Sequence, residues 1–202
     1  MSDYQAECIA KMPPQLGELY YELHSELTWL YAKWIDFRQL FGSERETITL
    51  LNKAAPAFFG GQQSRMWEDS VLHLCRLTDR ETPGGATLTV IGLSRFVPEV
   101  TVSRNVRRAA ARSRTKADFA WDWRNRRIAH RERKHKSAKP LKTGSVDKME
   151  DALKELAITL NFVAQHYLGS PMSYEATIVA LGGVDNLLGC LRLGVEAFES
   201  GR

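Results

Sequence analysis

The residues with the clearest capacity for chemistry fall together in the stretch Trp121-Asp122-Trp123-Arg124-Asn125-Arg126-Arg127-Ile128-Ala129-His130-Arg131-Glu132. His130 stands among arginines, whose charges favour its neutral imidazole. A neutral imidazole beside a phosphodiester can take a proton as a base and, once protonated, return it as an acid. Arginine supplies a fixed charge and a planar fork for phosphate oxygens. Together these are the minimal equipment for cleaving RNA by attack of a ribose 2′-hydroxyl on its own phosphate, with no metal. A metal pair of His130 and His135 lacks further ligands nearby and is rejected. No metal and no cofactor is expected.

The charge distribution points the same way. From Arg104 to Lys142 there are fifteen Lys or Arg and three acidic residues (Asp118, Asp122, Glu132), a net charge of +12 within a chain whose total is +4. The remainder carries −8. Segregated positive charge of this size is the usual footprint of a polyanion partner. Trp121 and Trp123 could stack on bases, but tryptophans at such spacing more often pack inside a bundle or at a subunit seam, and packing is the expectation. His135 is expected in solvent. His24, His73 and His166 are expected as surface or satisfied core residues of amphipathic helices.

The elements that must hold this stretch read as helices. Leu16, Tyr20, Leu23, Leu27, Leu30, Trp34, Phe37 and Phe41 step by three or four, predicting a helix over 14–41 with Pro13 and Pro14 at its start and Gly42 at its end. Ser43 and Glu46 have capping-box spacing and introduce a helix over 44–54, ended by Pro56 and Gly60-Gly61. A third helix is expected over 62–79, then a loop over 80–87. The segment 87–97 could be a short strand, but a short helix is favoured because no partner strand is evident. Residues 101–134, rich in Ala and Arg, read as one long helix. A basic loop covers 135–144, Ser145 caps a helix over 146–168, Gly169-Ser170-Pro171 ends it, and a last helix covers 184–198.

This pattern predicts an all-α fold, an up-and-down bundle of four long helices with accessory short ones. The chain is expected to be one domain over 1–202, with a core at about 14–168 and a C-terminal accessory helix within 170–202. Cys8, Cys75 and Cys190 are too few and too scattered for a disulfide framework, and Cys75 and Cys190 are expected in the core. No apolar run approaches the roughly 20 residues of a membrane span, and the N-terminus lacks a signal-peptide pattern. A cytoplasmic location and no membrane association are the expectations.

Helix geometry sets a problem for the basic stretch. On an ideal helix, Arg124 and His130 point about 120° apart and lie about 9 Å apart along the axis. They do not converge by sharing a face. Either the helix is distorted near its end, or convergence occurs across a dimer. Arg126 and Arg127, four and three residues before His130, share its face better, so the phosphate ligand stays open among these arginines.

Arg124, a polar Asn125, four residues and then His130 resembles the arginine–polar–spacer–histidine signature of the HEPN superfamily. The closer resemblance is to its abortive-infection branch (AbiU type). There a long N-terminal helix precedes a Leu–x–Arg–Leu–Thr–Asp stretch, here Leu74 to Asp79, and an Arg-rich stretch ending Ile/Leu–Ala–His, here Arg124 to His130. The resemblance covers about 14–168. Glu132 stands where family members often carry Asp.

The resemblance implies a helical bundle that forms a homodimer, joining two copies of the motif in one cleft. It implies a metal-independent endoribonuclease acting on RNA in phage defence or a toxin–antitoxin system. An antitoxin or nucleotidyltransferase-like protein is among the partners it implies. Carried over by position, Arg124, Asn125 and His130 form the catalytic group: Arg124 contacts phosphate, Asn125 orients the site and His130 is the acid and base. Arg126, Arg127, Arg131 and Lys134 are the expected RNA or phosphate contacts. Asp79 either caps the following loop or pairs with an arginine of the basic helix. The competing expectation is a non-catalytic nucleic-acid-binding or regulatory HEPN module working with a partner protein.

Overall fold

A computed structural model describes residues 2–42, 44–82, 87–129, 141–175 and 183–201. Among them there is no strand, and the architecture is the expected all-α bundle. Its helices are α1 (Asp3–Lys11), α2 (Pro14–Phe41), α3 (Arg45–Ala54), α4 (Pro56–Leu77), α5 (Val100–Lys116), α6 (Asp118–Trp123), α7 (Val146–Tyr167) and α8 (Val184–Ser200). A 3₁₀ turn, Leu93–Phe96, lies between α4 and α5, and a π-helical turn, Arg124–Ile128, continues α6. No helix among the described residues is long and apolar enough to cross a membrane.

The long periodic segments fold as their sequence dictates. Pro14 opens α2 at a position where its missing N–H is not needed. Leu16, Tyr20, Leu23, Leu27, Leu30, Trp34 and Phe37 are all buried along it, while Leu40 rather than Phe41 completes the buried face. On α7, Ser145 caps the first turn by accepting from the Lys148 backbone N–H, and Met149, Leu153, Leu156, Leu160 and Val163 are buried. Gly169 then takes φ +81°, the left-handed conformation that ends the helix.

α5 lies along α7, the most extensive pairing in the bundle, while α2 packs on both α4 and α7. The inner face of α5 is Val106, Ala109, Ala110 and Ser113. These small side chains allow close approach, and Ser113 meets Thr159 of α7 at 3.2 Å between hydroxyls in the buried seam. A second, smaller apolar cluster (Leu40, Leu51, Phe59, Val184) joins α2, α3, α4 and α8.

Several expectations are corrected. α1 has no counterpart in the sequence-based helices. Ser2 caps it, and it crosses α2 so closely at Gly17 that a Cβ there would lie 2.7 Å from the Cys8 carbonyl oxygen. Pro56 begins α4 rather than ending α3, and the helix runs through Gly60-Gly61. Each glycine costs about 1 kcal/mol relative to alanine in a helix, and burial of Phe59 in the second cluster offsets much of that. α3 starts on Glu44 without a side-chain cap; Ser43 lies outside the described residues. The long helix expected over 101–134 breaks at Ala117. Ser113 and Thr115 bond back to the carbonyls of Ala109 and Ala111, a pattern that bends helices, and Ala117 is buried at the break. Cys75 is a core residue as expected, but Cys190 is exposed.

Candidate anion site at the α4–α6 junction

The stretch Leu74 to Asp79 ends α4 and turns away. Leu74, Cys75 and Leu77 point into the core, and Thr78 is fully buried at the cap. The Thr78 hydroxyl donates to the Leu74 carbonyl at 2.8 Å and accepts from Trp121 Nε1 at 3.2 Å. The chain after Asp79 is pinned back by Thr89, whose hydroxyl donates to the carbonyls of Leu77 (3.1 Å) and Asp79 (2.8 Å). The end of α4 is therefore fixed both by its own cap and by the returning loop.

Asp79 projects from this fixed end. Its Oδ1 accepts from the Arg80 backbone N–H at 2.7 Å, and its Oδ2 lies 3.9 Å from Arg124 Nη1. Both roles considered for Asp79, local cap and arginine partner, are thus realised. Arg114, near the end of α5, donates to the Thr78 carbonyl at 3.2 Å. Its guanidinium sits 3.8 Å from the centre of the Trp121 ring, and that of Arg124 sits 4.7 Å from the same ring. Burial draws Arg114 below its ordinary guanidinium value, opposed by the charge of Asp79 and reinforced by that of Arg80. Asp79, Asp118 and Arg80 all act on Arg114, and Asp118 is itself paired with Lys142, so Arg80, Arg114, Arg124 and Lys142 stand against two carboxylates, a local surplus of +2. Such a surplus on a fixed scaffold favours an anion.

The field reaches Cys75 beneath. Burial pushes its thiol up to about 12, although Arg124 and Arg114 act to lower it. Cys75 therefore stays a neutral thiol near neutral pH and serves packing, not nucleophilic chemistry.

The predicted site residues divide as follows. Arg124 faces α4 and belongs to the Asp79 cluster. Asn125 is exposed and makes no side-chain hydrogen bond among the described residues. Arg126 Nη1 lies 3.3 Å from both oxygens of Asp122, whose Oδ2 also accepts from the Lys142 N–H at 2.7 Å. Arg127 lies 3.9 Å from Glu68 and 5.4 Å from the Trp123 ring centre. His130, Arg131 and Lys134, with His135, lie outside the described residues. The structure brings the Leu74–Asp79 and Arg124 stretches together, and turns Arg126 and Arg127 toward other acids.

The backbone carrying these arginines is distorted, one of the two ways out of the geometric problem. Over Arg124–Ile128 the helix widens to a π turn, with the Ala129 N–H bonding the Arg124 carbonyl five residues back at 2.7 Å. π turns are rare and occur frequently at functional sites. The segment 141–145 straps this region. Trp123 Nε1 donates to the Lys142 carbonyl at 2.9 Å, Lys142 Nζ pairs with Asp118, and Gly144 lies on Trp67. Trp123 meets Trp67 edge-on, ring centres 5.8 Å apart. Both tryptophans of the motif are thus used in packing, as expected.

Motif spacing and periodicity do not single out Arg80, Arg114 or Thr78 as site residues. The signal for Thr78 is its place in the Leu74–Asp79 stretch. Arg114 lies across the helix break from Arg124, where periodicity carries no information.

The model of the family HEPN_AbiU2 (AbiU2) matches residues 14–180, most of the chain. No curated protein and no solved structure matches it.

Proposed function

The chain belongs to the AbiU2 family of HEPN proteins, a HEPN-like abortive-infection branch, and from that premise we propose that it cleaves RNA as a metal-independent endoribonuclease in phage defence or a toxin–antitoxin system. His130 takes the proton of a ribose 2′-hydroxyl as that oxygen attacks the adjacent phosphorus. The bond from phosphorus to the 5′-oxygen breaks, and a protonated histidine returns a proton to the leaving oxygen. The products are a 2′,3′-cyclic phosphate and a 5′-hydroxyl. Arg124 holds the non-bridging oxygens and Asn125 orients the phosphate. In a homodimer, a second copy of the motif supplies the second histidine, so base and acid are separate side chains.

The observation that carries this reading is the surplus of guanidinium around Asp79. It sits where the two stretches that mark the family meet, and includes Arg124. That is the charge a phosphodiester would need to find.

The test is incubation of the chain with total RNA in EDTA, beside His130→Ala. The expected result is cleavage by wild type, with cyclic phosphate ends, and none by the variant, which still binds RNA. Cleavage retained in His130→Ala overturns the site. A wild type that binds RNA without cutting it makes the chain a non-catalytic or regulatory module.

A further inference from the structure

α5 carries a second set of arginines that the site above does not use. Counting back from Arg114 at about 100° per residue, Arg107 lies about 20° away, Arg104 about 80° and Arg108 about 120°. The inner face of Val106, Ala109, Ala110 and Ser113 is on the other side, against α7. Arg104, Arg107 and Arg108 are exposed, and none has an ion-pair partner among the described residues. The contrast with their neighbours on the α7 flank is sharp: Arg112 pairs with Glu155 at 2.9 Å and Lys116 with Asp151 at 2.7 Å. Acids thus neutralise one edge of α5 and leave the other edge and the crest positive. That positive row leads to Arg114, and through Trp121 to Arg124.

We infer that Arg104, Arg107 and Arg108 form a track for single-stranded RNA that feeds the phosphate chain toward Arg114 and Arg124. This rests on the ribonuclease reading only for the identity of the polyanion. Arginine forks match phosphate oxygens. From Arg104 to Arg114 the row is about 15 Å long, ten residues at 1.5 Å rise, the length of a few nucleotides. It is one helix wide and bounded by acids toward α7, so it fits one strand; a duplex presents two lines of phosphate and needs positive charge on both flanks. An acidic protein surface is the competing occupant.

The test uses the full chain with His130→Ala, so that RNA stays intact. Arg104→Gln, Arg107→Gln and Arg108→Gln are combined, and a labelled single-stranded RNA is titrated over a salt series by fluorescence anisotropy. The three side chains are exposed and free of ion pairs among the described residues, and far-UV circular dichroism checks that the fold is kept. Affinity is expected to fall about tenfold or more at low salt. The slope of log K against log salt is expected to fall by about 2, from about 0.7 per phosphate contact over three contacts. Arg192→Gln on α8 removes one positive charge elsewhere and is expected to leave the slope unchanged.

An unchanged slope in the triple variant overturns the track and leaves the acidic protein surface as occupant. So does an Arg192→Gln effect as large per charge, since the effect would then be one of total charge. If the slope falls as expected while the protein with His130 intact leaves RNA uncut, the track stands and the ribonuclease reading fails.

Discussion

On the ribonuclease reading, Asp79→Asn is expected to separate holding RNA from cutting it. Asparagine keeps the Oδ1 that accepts from the Arg80 N–H at 2.7 Å, so the turn after α4 survives. What is lost is one negative charge 3.9 Å from Arg124. Both partners are about one-third exposed, 37% and 36%, so the pair contributes only about 0.2–1 kcal/mol to stability. The urea midpoint is expected to fall within that range, and the variant is folded. The local charge around Arg80, Arg114 and Arg124 rises from +2 to +3, because a −1 has been removed from beside three positive groups. Unit charges 4 Å apart interact by about 1 kcal/mol in water, so RNA binding is expected to tighten by up to about fivefold. Cleavage is expected to slow by about tenfold to a hundredfold, because Arg124 loses the group that aims it and misplacement of about 1 Å costs that much. Binding is read by anisotropy in an Asp79→Asn, His130→Ala double variant, and cleavage by single-turnover kinetics in Asp79→Asn alone. Weaker RNA binding would refute the view that Asp79 tempers an anion site. An unchanged single-turnover rate would refute its role in positioning Arg124.

Two further outcomes bear on the scaffold. Gly144→Ala places a Cβ 2.4 Å from Cζ2 of Trp67, a ring packed against Trp34, Phe37, Phe119 and Trp123; overpacking of this kind costs about 1–3 kcal/mol, read as a lower thermal midpoint, and a wild-type midpoint would show that the 141–145 strap does not hold α6. His73 is 2% exposed, and its pKa is drawn down to about 4 first by burial and then by Arg76 and Lys33, with Glu26, whose Oε2 lies 2.9 Å from Nε2, opposing. Between pH 6.5 and 4 the unfolded chain binds a proton there that the folded chain does not, so stability falls as pH drops through this window, by about 2 kcal/mol at pH 5. His73→Gln removes that term, and urea denaturation at pH 7.5 and pH 5 should show the gap between variant and wild type narrowing by this amount; a constant gap would contradict it.

Local physics made most of the bundle legible. The steps of three and four in α2 and α7 are long enough that burial of one face overrides any competing signal, and their ends carry Pro14, Ser145 and Gly169. α1 was not legible, because nine residues hold one buried side chain, Cys8. Pro56 was ambiguous, since proline ends one helix and begins another with the same ring, and only the burial of Phe59 decides between them. The break at Ala117 was hidden by alanine and arginine, both strong helix formers; Ser113 and Thr115 were the quiet signs of it. Cys190 sits in an apolar stretch of sequence, yet α8 buries only Val184 and leaves Leu193 and Phe198 exposed. The candidate site was legible as two stretches and not as a meeting. Asp79 and Arg124 are 45 residues apart in the chain, and no periodicity encodes a contact of that range.

That meeting also bears on the choice among Arg124, Arg126 and Arg127, which share faces with a downstream histidine in different degrees on an ideal helix. Helix phase is a poor guide here, because α6 is set off from α5 by the break and continues as a π turn. Charge is a better one. Arg126 faces both oxygens of Asp122, and the Lys142 N–H fixes that carboxylate from the other side. Arg127 has Glu68 and the edge of the aromatic cluster through Trp123. Arg124 shares its acid with another guanidinium, since the field of Asp79 also falls on Arg114, and Arg80 adds to the same pocket of charge. A phosphate entering beside Arg126 or Arg127 competes with the carboxylate that each of them already faces. Beside Arg124 it meets a surplus of positive charge, with Arg114 and Arg124 both laid on the Trp121 ring, whose Nε1 the Thr78 hydroxyl fixes. Preorganised excess charge, rather than position along an ideal helix, is what favours Arg124 as the phosphate ligand.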